Sequence, residues 1–450
     1  MSATLSPLLP GQSGDGKPVT LGVMGGGQLG RMFVHAAQAM GYATAVLDPD
    51  PASPAGQVSH HHIQTGYLDP KGLAALAKCS AAITTEFENV PAQALLTLAR
   101  KRPVAPAAEA VSIAQDRIAE KAHFGRCGVP CAPYAVIETP AQLTAVERNL
   151  FPGILKTARM GYDGKGQIRV KNRAELAAAW DQVKRVPCVL EKKLALKAEC
   201  SVIVARGRDG ACVHLPVQRN LHRDGILAMT EVCKGNMPAA LAKKAIAAAK
   251  SIADELSYVG VLCVEFFVVS DAASGALRLV VNEIAPRPHN SGHYSLDACD
   301  VSQFELQVRT LAGLPLIQPR QHSPAIMLNL LGDLWLANVT KKNWGQIPIQ
   351  DSGATGDGQH SSKLDSDPNS SAPSSSDQVV PAWDKILALP GTHLHLYGKS
   401  EPRIGRKMGH LNITGPSIGS VRATAAQAGK ILGIKPFTNH SPVVGNGADS

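Results

Sequence analysis

The sequence contains no long apolar run and few aromatic residues. No stretch approaches the roughly 18 unbroken apolar residues of a membrane-spanning helix, because Lys, Arg, Gly, Pro or Asp interrupts every candidate. Aromatic residues are 4% of the 450 positions, and the Lys and Arg residues behind the formal charge of +9 are scattered along the chain. These absences argue against membrane and nucleic-acid partners. A small ligand with several negative charges would explain the excess of basic residues as well as a nucleic acid would.

Metal-binding cysteine spacings are also lacking. The nine cysteines stand in isolated positions, several of them within apolar, strand-like runs where a small buried thiol packs well. We therefore expect reduced thiols in a cytoplasmic protein. With 44% hydrophobic residues, the chain is long enough for about three domains, each with its own core.

Composition and periodicity divide the chain into three folded units and three segments with little to bury. Strand-like runs alternate with helix-like segments over residues 18–115, which predicts an α/β, doubly wound parallel-sheet domain. The expected units that follow are a small α+β unit and a second α+β unit, at 116–205 and at 206–350 with 379–436. The segments with little to bury are a disordered leader, a disordered insertion with nine serines and five aspartates, and a flexible tail, at 1–17, 351–378 and 437–450.

A glycine-rich turn stands between the first predicted strand and the first predicted helix. Gly25, Gly27 and Gly30 fit the pattern G-x-G-x-x-G, and Asp48 ends the next strand. Taken alone, this pattern predicts a dinucleotide site, as in a nicotinamide-dependent oxidoreductase. Glycine lets the backbone approach any ligand, and a helix start offers N–H groups to any anion. A different phosphate ligand, and a tight turn without a ligand, therefore stay open.

Two glutamates occupy apolar strands that a turn near Ser274 joins. If the strands pair symmetrically about Ser274, Glu265 and Glu283 lie opposite each other on one face, where like charges repel. A cation must then separate them, because a buried carboxylate without a partner costs several kcal/mol or becomes protonated. Magnesium fits, since it binds carboxylates and phosphate oxygens together. The alternative is a Lys or Arg beside each acid, but the polar run at 286–293 favours the metal site.

A second glycine loop follows a strand that ends in Lys156. Gly161, Gly164 and Gly166 make this loop mobile, so that it can fold over phosphates while Lys156 adds a positive charge. It is not a Walker loop, because no Gly-Lys-Ser or Gly-Lys-Thr opens a helix here. A flexible hairpin without a ligand is the alternative.

Six blocks of sequence, in order, together resemble a known enzyme family. The blocks are residues 25–32, 85–90, 161–167, 220–226, 282–293 and 405–410. They resemble the 5-(carboxyamino)imidazole ribonucleotide synthases, ATP-grasp carboxylases of bacterial and fungal purine synthesis, and the resemblance runs from about Val19 to Leu432. It implies the ATP-grasp fold, with the unit at 116–205 as the lid. It also implies that ATP and bicarbonate form carboxyphosphate, which carboxylates 5-aminoimidazole ribonucleotide and leaves ADP and phosphate.

The resemblance further implies roles for individual residues, with ATP and Mg²⁺ as cofactors and a homodimer as the assembly. The residues implied for ATP are Arg117, Lys156, Gly161, Tyr162, Asp163, Gly164, Lys165, Gly166, Gln167, Glu191, Lys192, Lys193, Leu194, Glu199, His222, Asn282 and Glu283. Those implied for magnesium are Glu265, Asn282 and Glu283. Those implied for 5-aminoimidazole ribonucleotide are Gly27, Gln28, Leu29, one of Glu86 and Glu88, Tyr162, Asp163, Arg287, His289, Asn290, Ser291, Lys399, Arg406 and Lys407. The implied catalytic residues are Lys156 and the three that would steady carboxyphosphate, Arg287, His289 and Asn290.

The sequence departs from the family pattern at Ala158, Met160 and Arg219, and Lys192 and Lys193 make the expected adenine edge unusually basic. The nearest alternative function is another ATP-grasp ligase, such as a formate-dependent glycinamide ribonucleotide transformylase or a biotin carboxylase. The block 406–410 favours the carboxyaminoimidazole enzyme. Alternatives from other classes are the NAD-dependent oxidoreductase and a nucleotide sensor without turnover.

Overall fold

The structure is a computed structural model that describes residues 6–12, 16–161, 166–271, 274–336 and 379–435. The predicted insertion at 351–378 and the predicted tail at 437–450 lie outside these ranges. Within the described ranges, each helix is too short or too polar to cross a membrane. All nine cysteines are free thiols, as predicted.

The first domain is a parallel sheet covered by helices, as the alternating pattern predicts. Its strands lie in the order β3-β2-β1-β4, and every residue of β1, β2 and β4 is buried. Burial on both faces explains why these strands consist of apolar residues, glycine and threonine without an alternation of apolar and charged positions. The elements are Thr20–Met24 (β1), Gln28–Ala39 (α1), Ala43–Leu47 (β2), His61–Ile63 (β3), Pro70–Cys79 (α2), Ala82–Thr85 (β4), Ala92–Ala99 (α3) and Ala108–Ala114 (α4).

Part of the predicted leader is packed rather than disordered. The Leu8 N–H donates to the Ala312 carbonyl oxygen at 2.8 Å, and the Tyr42 hydroxyl donates to the Leu8 carbonyl oxygen at 2.6 Å. The Leu8 side chain also packs against the core of the first domain. The prediction is therefore wrong for residues 6–12, because one apolar residue with two backbone hydrogen bonds anchors a segment whose composition predicts disorder.

A helix and a small antiparallel sheet follow. Helix α5, Arg117–Arg126, begins at Asp116, whose carboxylate accepts the Ile118 N–H at 2.9 Å as an N-cap. The sheet has the order β5-β8-β6-β7 and encloses a core around Trp180. Its elements are Tyr134–Ile137 (β5), Pro140–Ala145 (α6), Gly153–Thr157 (β6), Gln167–Val170 (β7), Arg173–Gln182 (α7) and Cys188–Lys192 (β8). This is the lid domain.

The lid ends earlier than the sequence indicates. Strand β9, Leu196–Arg206, lies almost entirely within the predicted unit at 116–205, but it pairs with strands of the third domain along its whole length. The sequence predicts a strand at 200–205, within the observed strand, whereas domain membership is decided by its partner strands, which begin later in the chain at Gln218 and Gly260. The lid sheet therefore closes at Lys192.

The third domain contains a nine-stranded sheet. Eight strands lie in the antiparallel order β14-β13-β9-β11-β12-β15-β17-β16, and β10 pairs with β9. Besides β9, the elements are Cys212–His214 (β10), Gln218–Arg223 (β11), Ile226–Val232 (β12), Ala239–Glu255 (α8), Gly260–Ser270 (β13), Leu277–Ala285 (β14), Ser295–Ala298 (α9), Gln303–Ala312 (α10), Ala325–Leu331 (β15), Trp383–Leu387 (α11), Thr392–Leu396 (β16), Lys407–Thr414 (β17) and Ile418–Leu432 (α12). Single 3₁₀ turns lie at Gly56–Val58, Arg148–Leu150, Asn290–Gly292 and Gly332–Trp335.

The two faces of β13 pack against different parts of the protein. Leu262, Val264 and Phe266 belong to the core beneath α8, whereas Val261 and Cys263 belong to the core on the opposite face, with Tyr294. Since side chains alternate along a strand, Glu265 lies on the second face. Helix α10 continues from that face into the core of the first domain, so the first domain and the large sheet share packed side chains.

Candidate active site

The first glycine turn holds carboxylates of its own chain. The Gly27 and Gly30 N–H groups donate to the two Glu86 carboxylate oxygens at 2.8 and 3.0 Å, and the Gly26 N–H donates to Asp48 Oδ2 at 2.7 Å. A Cβ atom on Gly27 would lie 2.4 Å from Glu86 Oε1, which is the close approach that requires glycine here. The donors that a dinucleotide phosphate would need are thus engaged, which disfavours the oxidoreductase alternative. Of the two neighbouring residues predicted to touch substrate, Gln28 is half-buried and Leu29 is a buried core residue.

Glu86 and Glu88 differ in their partners, although the sequence could not separate them. Burial raises the pKa of Glu86, even though its two amide partners favour the charged form. Burial alone would also raise the pKa of Glu88, but the Arg287 guanidinium lowers it below the ordinary value. Arg287 Nε lies 2.5 Å from Glu88 Oε2, so this pair joins the end of the first sheet to the third domain.

The hairpin acids face each other, as predicted. Glu265 pairs with Glu283 in the β13–β14 register, and a β-bulge follows, in which Phe266 pairs with Val281 and leaves Asn282 as the extra residue. Val281 and Ile284 both pack beneath α8. The bulge therefore leaves Asn282 and Glu283 together on the other side of the strand.

Their immediate partners show how these acids are satisfied. Arg117 donates to Glu283 Oε2 at 3.1 Å, which is the ion pair of the alternative interpretation. Glu265 instead lies 3.2 Å from His289 Nε2. Asn282 Oδ1 is buried and lacks a hydrogen-bond partner. Burial raises the pKa of Glu265 to about 7. The negative charge of Glu283 contributes to this rise, whereas the positive charge of His222 opposes it.

His222 adds a positive charge opposite these acids. Its Nδ1 contacts Glu199 Oε2 across neighbouring strands. Burial lowers the pKa of His222, but the hydrogen bond with Glu199 and the Glu265 charge outweigh burial and raise it to about 9. His222 is therefore an imidazolium at neutral pH, and the carboxylates of Glu199 and Glu265 share its charge.

His289, in contrast, is neutral. Burial and the Arg287 charge lower its pKa well below the ordinary value. Its Nδ1 accepts the Ser291 N–H at 3.3 Å, so Nε2 carries the proton that faces Glu265. The Ser291 hydroxyl lies 2.8 Å from the Ser201 hydroxyl in a buried network. Both amide atoms of Asn290 are buried without partners, so they have hydrogen-bonding capacity for a ligand.

The lid contributes a buried charge cluster. Lys156 donates to Glu191 Oε2 at 2.9 Å, and Lys121 of α5 lies 2.9 Å from Glu191 Oε1 as an ion pair outside hydrogen-bond geometry. Burial opposes ionisation of Glu191, but Lys156 and then Lys121 lower its pKa to about 2. Lys121 is 2% exposed, and its burial could not be predicted from sequence, because a lysine on a short helix gives no signal of burial.

Other predicted ATP residues follow Glu191 and Lys156 along the chain. The Lys192 and Lys193 N–H groups donate to the Pro133 and Pro152 carbonyl oxygens at 2.9 Å, and Leu194 packs in a small apolar cluster that includes Phe267. Phe267 was not predicted as a site residue. It lies two residues after Glu265 on β13, and because side chains alternate along a strand, this spacing could have placed Phe267 on the same face as Glu265. Gly161 ends one described range and Gly166 and Gln167 begin the next. Tyr162, Asp163, Gly164 and Lys165 lie outside the described residues.

The basic residues near the end of the chain approach the acids of the first domain. The Lys399 charge acts on Glu86, and the Lys407 charge acts on Glu88 and Glu265. Arg406 donates to the Glu401 carbonyl oxygen at 2.7 Å within its own loop. In the parts of the chain that the structure describes, no group of three or more His, Cys, Asp or Glu side chains is arranged to hold a metal ion.

Three family models match the chain in order, and the second spans the lid and part of the third domain. A ribonucleotide synthetase preATP-grasp domain matches residues 19–115, an ATP-grasp domain matches residues 122–304, and a phosphoribosylaminoimidazole carboxylase C-terminal domain matches residues 362–424. The last match begins within the predicted insertion at 351–378. These matches agree with the predicted ATP-grasp architecture.

Whole-chain relatives agree with these models. An N5-carboxyaminoimidazole ribonucleotide synthase of Brucella melitensis is 40% identical over 399 residues, which are 87% of this chain and 95% of that protein. A crystal structure of such a synthetase with ADP has a TM-score of 0.77 at 35% identity and covers 95% of this chain and 98% of its own.

A structure from Aspergillus clavatus with ADP and 5-aminoimidazole ribonucleotide has a TM-score of 0.75 at 27% identity, over 92% of this chain and 98% of its own. The chain therefore belongs to the N5-carboxyaminoimidazole ribonucleotide synthase family of ATP-grasp ligases.

Proposed function

We propose that the protein carboxylates 5-aminoimidazole ribonucleotide with bicarbonate and ATP in purine biosynthesis. The observation that carries this proposal is the hairpin of Glu265, Asn282 and Glu283 beside Arg117, followed along the chain by Arg287, which pairs with Glu88 as a second charged site. One site is suited to a nucleotide and the other to an anionic acceptor. The acceptor is inferred from what relatives are named for and from the ligand of the Aspergillus structure.

We propose a magnesium ion at the hairpin acids. Glu265, Glu283 and Asn282 would hold it, and the fit rests on Asn282 Oδ1, a buried oxygen without a partner, beside two facing carboxylates. Two carboxylates and one amide suffice, because magnesium completes its shell with phosphate oxygens and water. The bound ion would neutralise charge on the β- and γ-phosphates during transfer.

The side chains of the chain itself would bind and orient ATP. Arg117 and Lys156 would contact the phosphates, and residues 161–167 would close over them. The edge from Glu191 to Leu194, with Lys192 and Lys193, would border adenine, with Leu194 and Phe267 on its apolar side. Glu199 would accept the ribose hydroxyls, and His222, held by Glu199, would lie near the nucleotide.

The acceptor would lie between the first and third domains. We assign Glu88, rather than Glu86, to the substrate, because both carboxylate oxygens of Glu86 are bonded to the glycine turn, whereas Glu88 pairs with Arg287, which is itself assigned to the substrate. Lys399, Arg406 and Lys407 would bind the ribose phosphate. The predicted contacts of Gly27 and Gln28 belong to the same proposal, whereas the side chains of Leu29 and Ser291 are buried, Leu29 in an apolar cluster and Ser291 in the hydroxyl network with Ser201.

Carboxyl transfer would take place beside Arg287. A bicarbonate oxygen attacks the γ-phosphorus, ADP leaves, and carboxyphosphate forms. The amine nitrogen then forms a bond to the carbon of carboxyphosphate, or of carbon dioxide released from it, while phosphate leaves and the nitrogen loses one proton. The carboxyphosphate would be held by Arg287, His289 and Asn290. The Arg287 guanidinium matches the geometry of carboxylate and phosphate oxygens. His289 would contribute as a neutral side chain, because its pKa is lowered.

Two further parts of the proposal concern the cell and the assembly. We propose a cytoplasmic enzyme, which nine free thiols support. We also propose a homodimer, on the family resemblance alone.

The test of the function compares acceptors. With ATP, magnesium and bicarbonate, we expect 5-aminoimidazole ribonucleotide to raise ADP release at least about 100-fold, because the labile acyl phosphate forms productively only beside its acceptor. Incorporation of ¹³C-bicarbonate into the product, followed by NMR, checks the carboxylation. Turnover with glycinamide ribonucleotide and formate instead would assign the protein to the other ligase. No turnover with either acceptor, despite ATP binding, would favour a nucleotide sensor.

A further inference from the structure

Glu120 is a buried carboxylate for which the proposed reaction has no use. It lies on α5 with 3% of its surface exposed, and its Oε1 accepts the Ile284 N–H at 2.7 Å. Ile284 directly follows Asn282 and Glu283. This hydrogen bond therefore connects α5 to the backbone that presents two of the proposed magnesium ligands.

The backbone at this point needs outside support. Strand β14 is the last strand of the large sheet, so only its inner edge pairs with a full strand, β13. The bulge at Asn282 further interrupts that pairing. On the outer edge, the Val281 N–H donates to the Pro130 carbonyl oxygen at 2.9 Å, and the Ile284 N–H donates to Glu120. These two bonds flank Asn282 and Glu283 on either side.

The same helix also holds the Glu283 side chain. Arg117, one turn before Glu120, donates to Glu283 Oε2 at 3.1 Å. Burial lowers the pKa of Arg117, but the charges of Glu283 and Glu120 raise it above the ordinary value. Helix α5 thus fixes the backbone through Glu120 and the carboxylate through Arg117.

We infer that Glu120 is a positioning residue, whose carboxylate oxygen holds the Ile284 N–H so that Asn282 and Glu283 face the magnesium site. The inference rests on the proposed function. It depends on the acceptor oxygen rather than on the charge, because the contact is made to a backbone N–H. A glutamine offers an amide oxygen at the same position, whereas an alanine offers none.

The experiment measures metal binding separately from catalysis. Mn²⁺ binding to the protein with ADP is followed by electron paramagnetic resonance in wild type, Glu120→Gln and Glu120→Ala. We expect Glu120→Gln to bind within about threefold of wild type and Glu120→Ala to bind about 10- to 100-fold more weakly, as for other residues that support metal ligands. Hydrogen exchange of a peptide that contains Ile284 should be faster in Glu120→Ala alone. Glu120→Leu, which fills the space without an acceptor, replaces the alanine variant if that variant does not fold.

Each other outcome contradicts a defined part of this inference. Wild-type Mn²⁺ affinity in Glu120→Ala, with only a lower melting temperature, would make Glu120 merely structural. Equal loss in Glu120→Gln and Glu120→Ala would assign the effect to charge and overturn the acceptor role. If wild type itself binds no Mn²⁺, both the proposed magnesium site and the proposed role of Glu120 are wrong. If only the inference about Glu120 is wrong, wild type still binds Mn²⁺.

Discussion

The Glu283→Gln variant is expected to form ADP at least about 100-fold more slowly than wild type while it remains folded. The amide keeps the size of the side chain and an oxygen for Arg117, but it removes one of two negative charges that would bind magnesium. The fold tolerates the change because the Glu283 side chain is 40% exposed. ADP formation with saturating 5-aminoimidazole ribonucleotide and Mn²⁺ binding with ADP are the two measurements.

A matched control separates this effect from the general loss of a carboxylate. Glu305 pairs with Arg309 one turn later on α10, and Glu305→Gln should leave turnover and Mn²⁺ binding near wild type. If Glu283 serves only to neutralise Arg117, Glu283→Gln will bind Mn²⁺ as tightly as wild type. Unchanged turnover in Glu283→Gln would remove the metal assignment altogether.

The opposition of Glu265 and Glu283 could be predicted from sequence because two apolar runs flank a short turn. Symmetric pairing about Ser274 predicts the correct partners at the site, Glu265 and Glu283. Nearer the turn, however, Ser270 pairs with Leu277, so that the pairing there is centred half a residue before Ser274. The bulge at Asn282 makes up the difference. The sequence contains no signal for the bulge, so the agreement at the acids depended on a feature that the prediction did not include.

Other parts of the site could not be predicted, because they depend on contacts between distant segments. The sequence indicates that both Glu86 and Glu88 follow a strand, but only the fold shows that one bonds to the glycine turn and the other to Arg287. Lys121 is a similar case, since its burial depends on packing against the lid. Local periodicity predicts strands and helices well, whereas the partner of each charge is set by tertiary structure.

The pairing of Glu191 with two lysines leads to a second large expected effect. Glu191→Gln should destabilise the lid by about 3 to 5 kcal/mol at pH 7, because it leaves the buried ammonium groups of Lys121 and Lys156 without a counter-charge. Urea unfolding of the lid can be followed by the fluorescence of Trp180, which lies in the lid core. The background for this measurement replaces the other three tryptophans by phenylalanine, at Trp335, Trp344 and Trp383.

The control variants distinguish burial from simple charge loss. Asp181 pairs with Arg185 on the exposed side of the lid, and Asp181→Asn should cost less than about 1 kcal/mol. Adding Lys121→Met to Glu191→Gln should recover part of the lost stability, since it removes one unpaired buried charge. Equal costs for Glu191→Gln and Asp181→Asn would contradict the buried-pair account.

The pH dependence of this effect has a definite sign. Lys156 and Lys121 lower the pKa of Glu191 from 4.5 to about 2 in the folded protein, despite its burial. The stability that ionised Glu191 supplies is therefore fully present above about pH 4.5, where the unfolded chain has also lost the proton, and it declines as the pH falls toward 2. This lowering corresponds to about 3 kcal/mol. The difference in unfolding free energy between wild type and Glu191→Gln should consequently stay constant from pH 7 to 5 and shrink between pH 4.5 and 3. A difference that grows with acidity would show that Glu191 is protonated in the folded lid, in which case the two lysines would need another counter-charge.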